Sequence, residues 1–143
     1  MALFNNYDPG RVVASFNGIP FLGFMDGTFI SAERTEDGFT MQVGAGGDVT
    51  RVRSRDTTGS VTLTLQAASP TNDLLSSIAL TDELFGTGTG ALMVKDLNGN
   101  TLLEAPIAWV RKLPTTEFAD EASSREWIFD CANLIKFVGG GVI

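Results

Sequence analysis

The chain contains no histidine. That excludes a Ser-His-Asp triad, a Cys–His pair and every histidine-ligated metal site. A single cysteine, Cys131, leaves no intrachain disulfide to form, which fits synthesis in a reducing cytosol. No run of residues approaches the ~20 apolar positions needed to span a bilayer, so no membrane partner is expected. The first residues, Met1 to Tyr7, lack a basic region followed by a long apolar stretch, so no secretory signal is expected. Cations are scarce: ten Lys and Arg stand against 17 Asp and Glu, a net charge of −7. Such a protein repels nucleic acid unless its few cations cluster.

They do cluster. Arg51, Arg53 and Arg55 recur at period two, flanked by Asp48 and Asp56. The flanking acids make the local field mixed, which favours a solvated strand face or a protein–protein contact over nucleic-acid recognition. The stretch from Arg51 to Asn72 turns at Gly59, becomes a strand with apolar residues at period two, and ends at a helix start signal. It reads as a charged docking segment joined to a sheet edge, a design for assembly with copies of itself. With 43% apolar residues, ten phenylalanines and two tryptophans over 143 residues, the chain suffices for one domain, 1–143, with a real core.

Val12–Asn17 reads as a first strand, broken by Gly18-Ile19-Pro20. Phe21–Met25 reads as a short strand, Asp26-Gly27 as a turn, Thr28–Arg34 and Phe39–Val43 as further strands. Gly44–Asp48 is flexible punctuation. The polar segment from Val49 to Thr58 has little to bury, so a protruding loop is expected over 44–58, mobile in the free subunit. Ser60–Ala68 alternates most cleanly: Val61, Leu63, Leu65 and Ala67 face one way, and Thr62, Thr64 and Gln66 the other. Ser69 suits a helix N-cap and Pro70 the first helical position. Leu74, Leu75 and Ile78 form an apolar stripe, and the helix is expected to end between Ala79 and Glu83. Strands over 91–97 and 101–112 meet at Asn98-Gly99, a hairpin signal. Pro114–Ser124 is an acidic loop. Strict alternation over Trp127–Phe137 puts Trp127, Phe129, Cys131, Ile135 and Phe137 on one face. Gly139-Gly140-Gly141 ends the order. The expected fold class is mainly β with one helix: an antiparallel sandwich or half-open barrel, the helix covering an edge or end.

Signals for chemistry are weak. Cys131 sits in an alternating apolar strand and reads as a small buried hydrophobe. The glycine-rich segments at 44–47 and 86–90 lack the lysine and following helix of a phosphate cradle. Asp82-Glu83 and Asp120-Glu121 are sequence neighbours, which do not face one another as an acid–base pair would. Asp96-Leu97-Asn98-Gly99-Asn100 has a faint look of a calcium loop, but the hairpin explains it more simply. Trp109 and Trp127 read as core. No catalytic, cofactor-binding or metal site is expected.

The order of these elements resembles the tail tube proteins of contractile-tailed bacteriophages, which are similar to type VI secretion tube proteins. The resemblance rests on the strand around Val12–Asn17, the polar loop from Gly44 to Thr58, the run Gly59–Gln66 leading into Ser69-Pro70-Thr71-Asn72-Asp73, and the closing Trp127-Ile128-Phe129 strand with its glycine tail. It is most specific over Gly44–Leu75. It implies two packed sheets with a flanking helix, completed into a continuous barrel in a ring of six subunits. Rings stack into a tube that conducts viral DNA, and a long loop docks on the next ring. Gly46, Asp48, Arg51, Arg53, Arg55 and Asp56 match that loop and are placed at the ring–ring contact. Arginines lining the channel would retard DNA; small polar Thr62, Thr64 and Gln66 suit a water-filled lumen better. Implied partners are further copies of the chain, the tail sheath, the baseplate and the tail terminator, with transient passage of DNA and no specific binding. The implied location is the virion tail, after synthesis in the host bacterial cytoplasm. A secretion-system tube protein and a small β-barrel ligand-binding module are the alternatives; an enzyme is not expected.

Overall fold

The computed structural model describes residues 7–140; Met1–Asn6, with most of the segment examined for a secretory signal, and Gly141 lie outside the described residues. A single 3-10 turn at Pro9–Arg11, capped by Asp8, leads into β1 (Val12–Phe16) and β2 (Ile19–Pro20). The rest follows as β3 (Ile30–Arg34), β4 (Phe39–Val43), β5 (Val49–Arg53), β6 (Gly59–Gln66), α1 (Thr71–Phe85), β7 (Gly90–Asp96), β8 (Leu102–Val110), β9 (Ser124–Cys131) and β10 (Ile135–Phe137). One antiparallel sheet runs in the order β2-β1-β7-β8-β9-β6-β3, with β10 pairing β8. β4 and β5 form a separate two-stranded ribbon. The described residues are therefore mainly antiparallel β with a single α-helix.

The alternation in β6 dictates its place. Val61, Leu63 and Leu65 are buried and Thr62 and Thr64 half-buried, so one face enters the core and the other stays wet. β9 pairs with β6 over its full length, from Gly59 opposite Cys131 to Gln66 opposite Ser124. Trp127, Phe129 and Cys131 join the same core. Phe129 packs against Phe16 and Phe21, ring centroids 5.5 and 6.0 Å away. Gly59 is required where β6 begins: a Cβ there would lie 2.7 Å from the Glu33 carbonyl oxygen and 2.6 Å from Leu134 Cδ2.

Several expectations need correction. Gly18-Ile19-Pro20 is not a break. Asn17 and Gly18 both take positive φ, 51° and 81°, as a tight hairpin turn requires, and Ile19–Pro20 pairs back on β1. Phe21–Met25 forms no strand; Phe21 N–H donates to the Ala14 carbonyl on β1 at 2.9 Å, and Phe24 bridges to Leu65 on β6. Asn98-Gly99 does join β7 to β8, yet neither residue takes positive φ. Asn98 is buried instead, its amide donating to the Asp8 carbonyl and the Asp96 carboxylate at 2.9 Å each. That use of the side chain explains the calcium-like spacing. The closing strand bends at Ala132–Asn133. Past the bend the inward position passes to Leu134, and Ile135 and Phe137 face out. The cause is the path of the backbone: Ala132 N–H donates to Ile107 on β8, whereas Leu134 N–H donates to Thr57 on the opposite side. Trp109 is half-buried, because its neighbours Ala108 and Val110 take the inward positions of β8.

The helix begins at Thr71, one residue later than expected, but Ser69 Oγ still accepts the Thr71 N–H at 3.2 Å and donates to the Leu22 carbonyl. It runs past Glu83 to Phe85 because Gly86, at φ 67°, supplies the left-handed cap. Its buried stripe is Thr71–Leu75–Ala79; Leu74 and Ile78 are only half-buried at its margin. Asn72 ties the helix start to the core by accepting the Trp127 indole N–H at 2.9 Å.

Candidate functional site

The feature with the least internal explanation is the β4–β5 ribbon. All ten residues of its two strands are exposed. The register places Val43 opposite Val49, Met41 opposite Arg51 and Phe39 opposite Arg53. Directly opposite residues share a face, so one face of the ribbon carries Phe39, Met41, Val43 and Val49 together with two arginines. Thr40, Gln42, Thr50 and Val52 take the other. Met41 is 71% exposed and Val43 61%. Arg51 sits over the Phe39 ring, its guanidinium carbon 4.2 Å from the ring centre, which displays the guanidinium beside an apolar strip.

The sequence-derived contact residues all lie on or below this ribbon. Gly46 and Asp48 sit in the tip turn, closed by Gly44 N–H to the Asp48 carbonyl at 2.8 Å. Arg51 and Arg53 share the apolar face, and Arg55 follows the strand end. Asp56 belongs to the root: its carboxylate accepts the Thr58 hydroxyl at 2.6 Å and the Thr58 N–H at 2.9 Å. Those two bonds hold its pKa below the ordinary aspartate value. Among the described residues the only ion pair is Arg111–Asp130, 2.7 Å apart on the outer sheet face. The three ribbon arginines therefore have no ion-pair partner among the described residues.

The segment expected as a loop over 44–58 is thus half of a hairpin that begins at Phe39. Sequence reasoning placed Phe39–Val43 as an ordinary strand and missed its five exposed partners in the ribbon. The available signal was two alternating runs flanking a glycine-rich turn, the pattern of a hairpin. The root is firmly held. Arg34 donates through Nε and Nη2 to the Leu134 carbonyl at 3.0 and 2.8 Å, Lys136 donates to the Ala32 carbonyl at 2.9 Å, and Thr35 N–H reaches the Thr58 carbonyl at 3.0 Å. The ribbon is a projecting arm on a fixed base.

Thr62, Thr64 and Gln66 come together as one row on the outer face of β6, away from the core. Their neighbours across β9 are Ile128, Glu126 and Ser124. The sheet path ends in β2 on one side and β3 on the other, and among the described residues no further strand pairs with either outer edge. Cys131 is buried, and burial, then the nearby Asp130 charge, pushes its thiol up to about 11; it is a packed hydrophobe rather than a nucleophile. Among the described residues no cluster of three or more His, Cys, Asp or Glu could hold a metal ion.

Comparison with known proteins gives these features a context. The chain is 28% identical over 144 residues to "Structural protein ORF10" of Pseudomonas phage KPP10, covering 95% of this chain and 83% of that one. Its fold is similar to that of a chain in the anti-feeding prophage cap, the AFP tube terminating cap, with a TM-score of 0.67, 11% identity and 96% and 94% coverage. It is also similar to a chain of the PVC sheath/tube terminator of an extracellular contractile injection system in the extended state, with a TM-score of 0.60, 12% identity and 96% and 100% coverage. The family model for the bacteriophage PhiTE tail tube protein matches residues 22–139, from the loop before β3 to the glycine tail, and the chain belongs to that family of phage tail tube proteins.

Proposed function

We propose that this tail tube subunit closes, with five further copies, into a ring whose sheets join edge to edge, and that rings stack through the β4–β5 ribbon into a hollow tube that carries viral DNA. The observation that carries the reading is the ribbon. A two-stranded hairpin on its own is marginal in water, and this one holds an apolar strip and three unpaired arginines out from the subunit. A surface of that kind belongs against another protein. The end strands of the sheet path, β2 and β3, support ring closure, since joining sheets removes exposed edges.

On this reading Gly46, Asp48, Arg51, Arg53, Arg55 and Asp56 lie at the ring–ring contact. The outer row Thr62, Thr64 and Gln66 faces the lumen, where small polar groups hold no phosphate. Residues 1–143 act as one tube domain. The role is structural rather than catalytic, and the sheath, baseplate and terminator are its further partners in the virion tail, after synthesis in the host cytoplasm. Family membership over residues 22–139 favours a phage tube over both alternatives, the secretion-system relative and the ligand-binding module. Negative-stain microscopy and analytical ultracentrifugation of the purified protein test it. Hexameric rings or tubes at high concentration are expected; a monomer up to millimolar concentration contradicts it.

A further inference from the structure

The ribbon needs a receptor, and the same chain carries a surface that matches it. Helix α1 packs on the sheet through Thr71, Leu75 and Ala79. A second stripe, Leu74, Ile78, Thr81 and Phe85, follows at i, i+4, i+7 and i+11, one face of a helix. Its first three members form one wall of an open groove of about 290 Å3, and Phe16, Ile19 and the Thr87–Thr89 segment form the other. The groove continues in exposed apolar residues: Ile19 is 45% exposed and Phe85 74%. Among the described residues nothing else covers it. At roughly ten water volumes, the groove has room for a few side chains and not for a large ligand.

The electrostatics select the occupant. The last turn of α1 contains Asp82 and Glu83 and no basic residue, so both carboxylates add to the negative end of the helix dipole. Asp82 borders the groove: its carboxylate accepts the N–H of the groove residue Gly88 at 3.0 Å, and a carboxylate accepts several such bonds, whereas Glu83 projects from the far side of the helix. The groove therefore asks for an apolar, cationic ribbon. The β4–β5 arm has that order along its length: Val43 and Val49 at the tip, Met41 with Arg51 next, Phe39 with Arg53 at the base.

We propose that the apolar face of the β4–β5 ribbon of one copy docks into the groove between α1 and the β1–β2 hairpin of a second copy, with Arg51 and Arg53 reaching Asp82 and the helix C-terminus. The proposal rests on the reading of the ribbon as the contact between rings and names the surface it meets. Ribbon and groove are different patches, so the contact is heterologous and repeats without closing on itself, as a stack of unlimited length requires.

Engineered cysteines test it cleanly, because buried Cys131 does not compete. Val43→Cys at the ribbon tip and Thr81→Cys in the groove alter exposed positions. Under mild oxidation the double variant should give a ladder of covalent multimers, whereas each single variant should stop at a dimer. In assembled tubes the Thr81→Cys thiol should react with a soluble maleimide roughly tenfold or more slowly than in dissociated subunits, the factor that corresponds to about 1.4 kcal/mol of protection. Tubes that form normally but give no ladder, with Thr81→Cys still freely reactive, would overturn the docking site while leaving the tube reading intact; the groove would then be open to another tail protein. A wild-type protein that stays monomeric would remove both.

Discussion

β6 and β4 are written in the same code and end in opposite environments. Val61-Thr62-Leu63-Thr64-Leu65 alternates apolar and polar residues, and so does Phe39-Thr40-Met41-Gln42-Val43. In β6 the apolar members are 0–1% exposed; in β4 they are 50–71% exposed. The difference lies in what each strand has beside and beneath it. β6 is flanked by β3 and β9 and roofs a core with Phe129 and Trp127, whereas β4 has one neighbour, β5, and no layer below. Period two identifies a strand with one greasy face. It does not say whether that face is covered by the same chain or by the next one.

The largest effect that sharpens this contrast is on stability. Phe129→Ala removes a ring with no exposure from the core and should destabilise the subunit by about 3–5 kcal/mol. Met41→Ala, though apolar for apolar, should change subunit stability by less than about 0.5 kcal/mol, because its side chain is already in water. Urea unfolding of both variants checks the pair. A large loss from Met41→Ala would mean the ribbon packs on its own subunit.

The same division shows why part of the molecule was legible and part was not. β6, the Asn98-Gly99 connection and the helix after Ser69-Pro70 were readable because their signals are local: alternation, turn residues and caps. The bend at Ala132–Asn133 was not, since it depends on which neighbour accepts each backbone N–H. The three arginines drew the proposed contact to this segment because charges at period two in an acidic chain stand out. Their companions Phe39, Met41 and Val43 did not, because only the finished sheet reveals that no layer is left for them. The groove on α1 was hidden likewise: Leu74 and Ile78 look like core until Leu75 and Ala79 are seen to have taken it.

A smaller effect separates core from arm by pH. Burial raises the Cys131 thiol from 9.0 to about 11. The neutral thiol is the form the core favours, so its contribution is complete below pH 9. It falls as pH rises from 9 toward 11, by up to about 2–3 kcal/mol at 1.36 kcal/mol per unit. Cys131→Ala should show a shallower loss of stability over that range. An identical slope in both proteins would mean the thiol is solvated. Asp56 at the arm root behaves in the opposite sense. Its Thr58 bonds lower its pKa, so whatever it contributes is present above the ordinary carboxylate range and lost as pH falls through its folded-state value. Asp56→Asn should abolish the acid-induced loss of Thr58 amide protection, measured against the intrinsic exchange rate at each pH, while leaving global unfolding unchanged; protection that ignores both acid and substitution would detach Asp56 from the root.

The most direct measurement sets the arm's charge against the integrity of the subunit. Arg51→Glu, Arg53→Glu and Arg55→Glu combined should leave circular dichroism and the urea midpoint close to wild type, because all ten strand residues of the ribbon are exposed and none belongs to the core. Electron microscopy of the same preparation should show rings or free subunits but no tubes, since like charges would meet where opposite ones pair. Tubes of normal length from the triple variant would contradict the account: the arginines would then be ordinary solvated charges, and stacking would run through another surface.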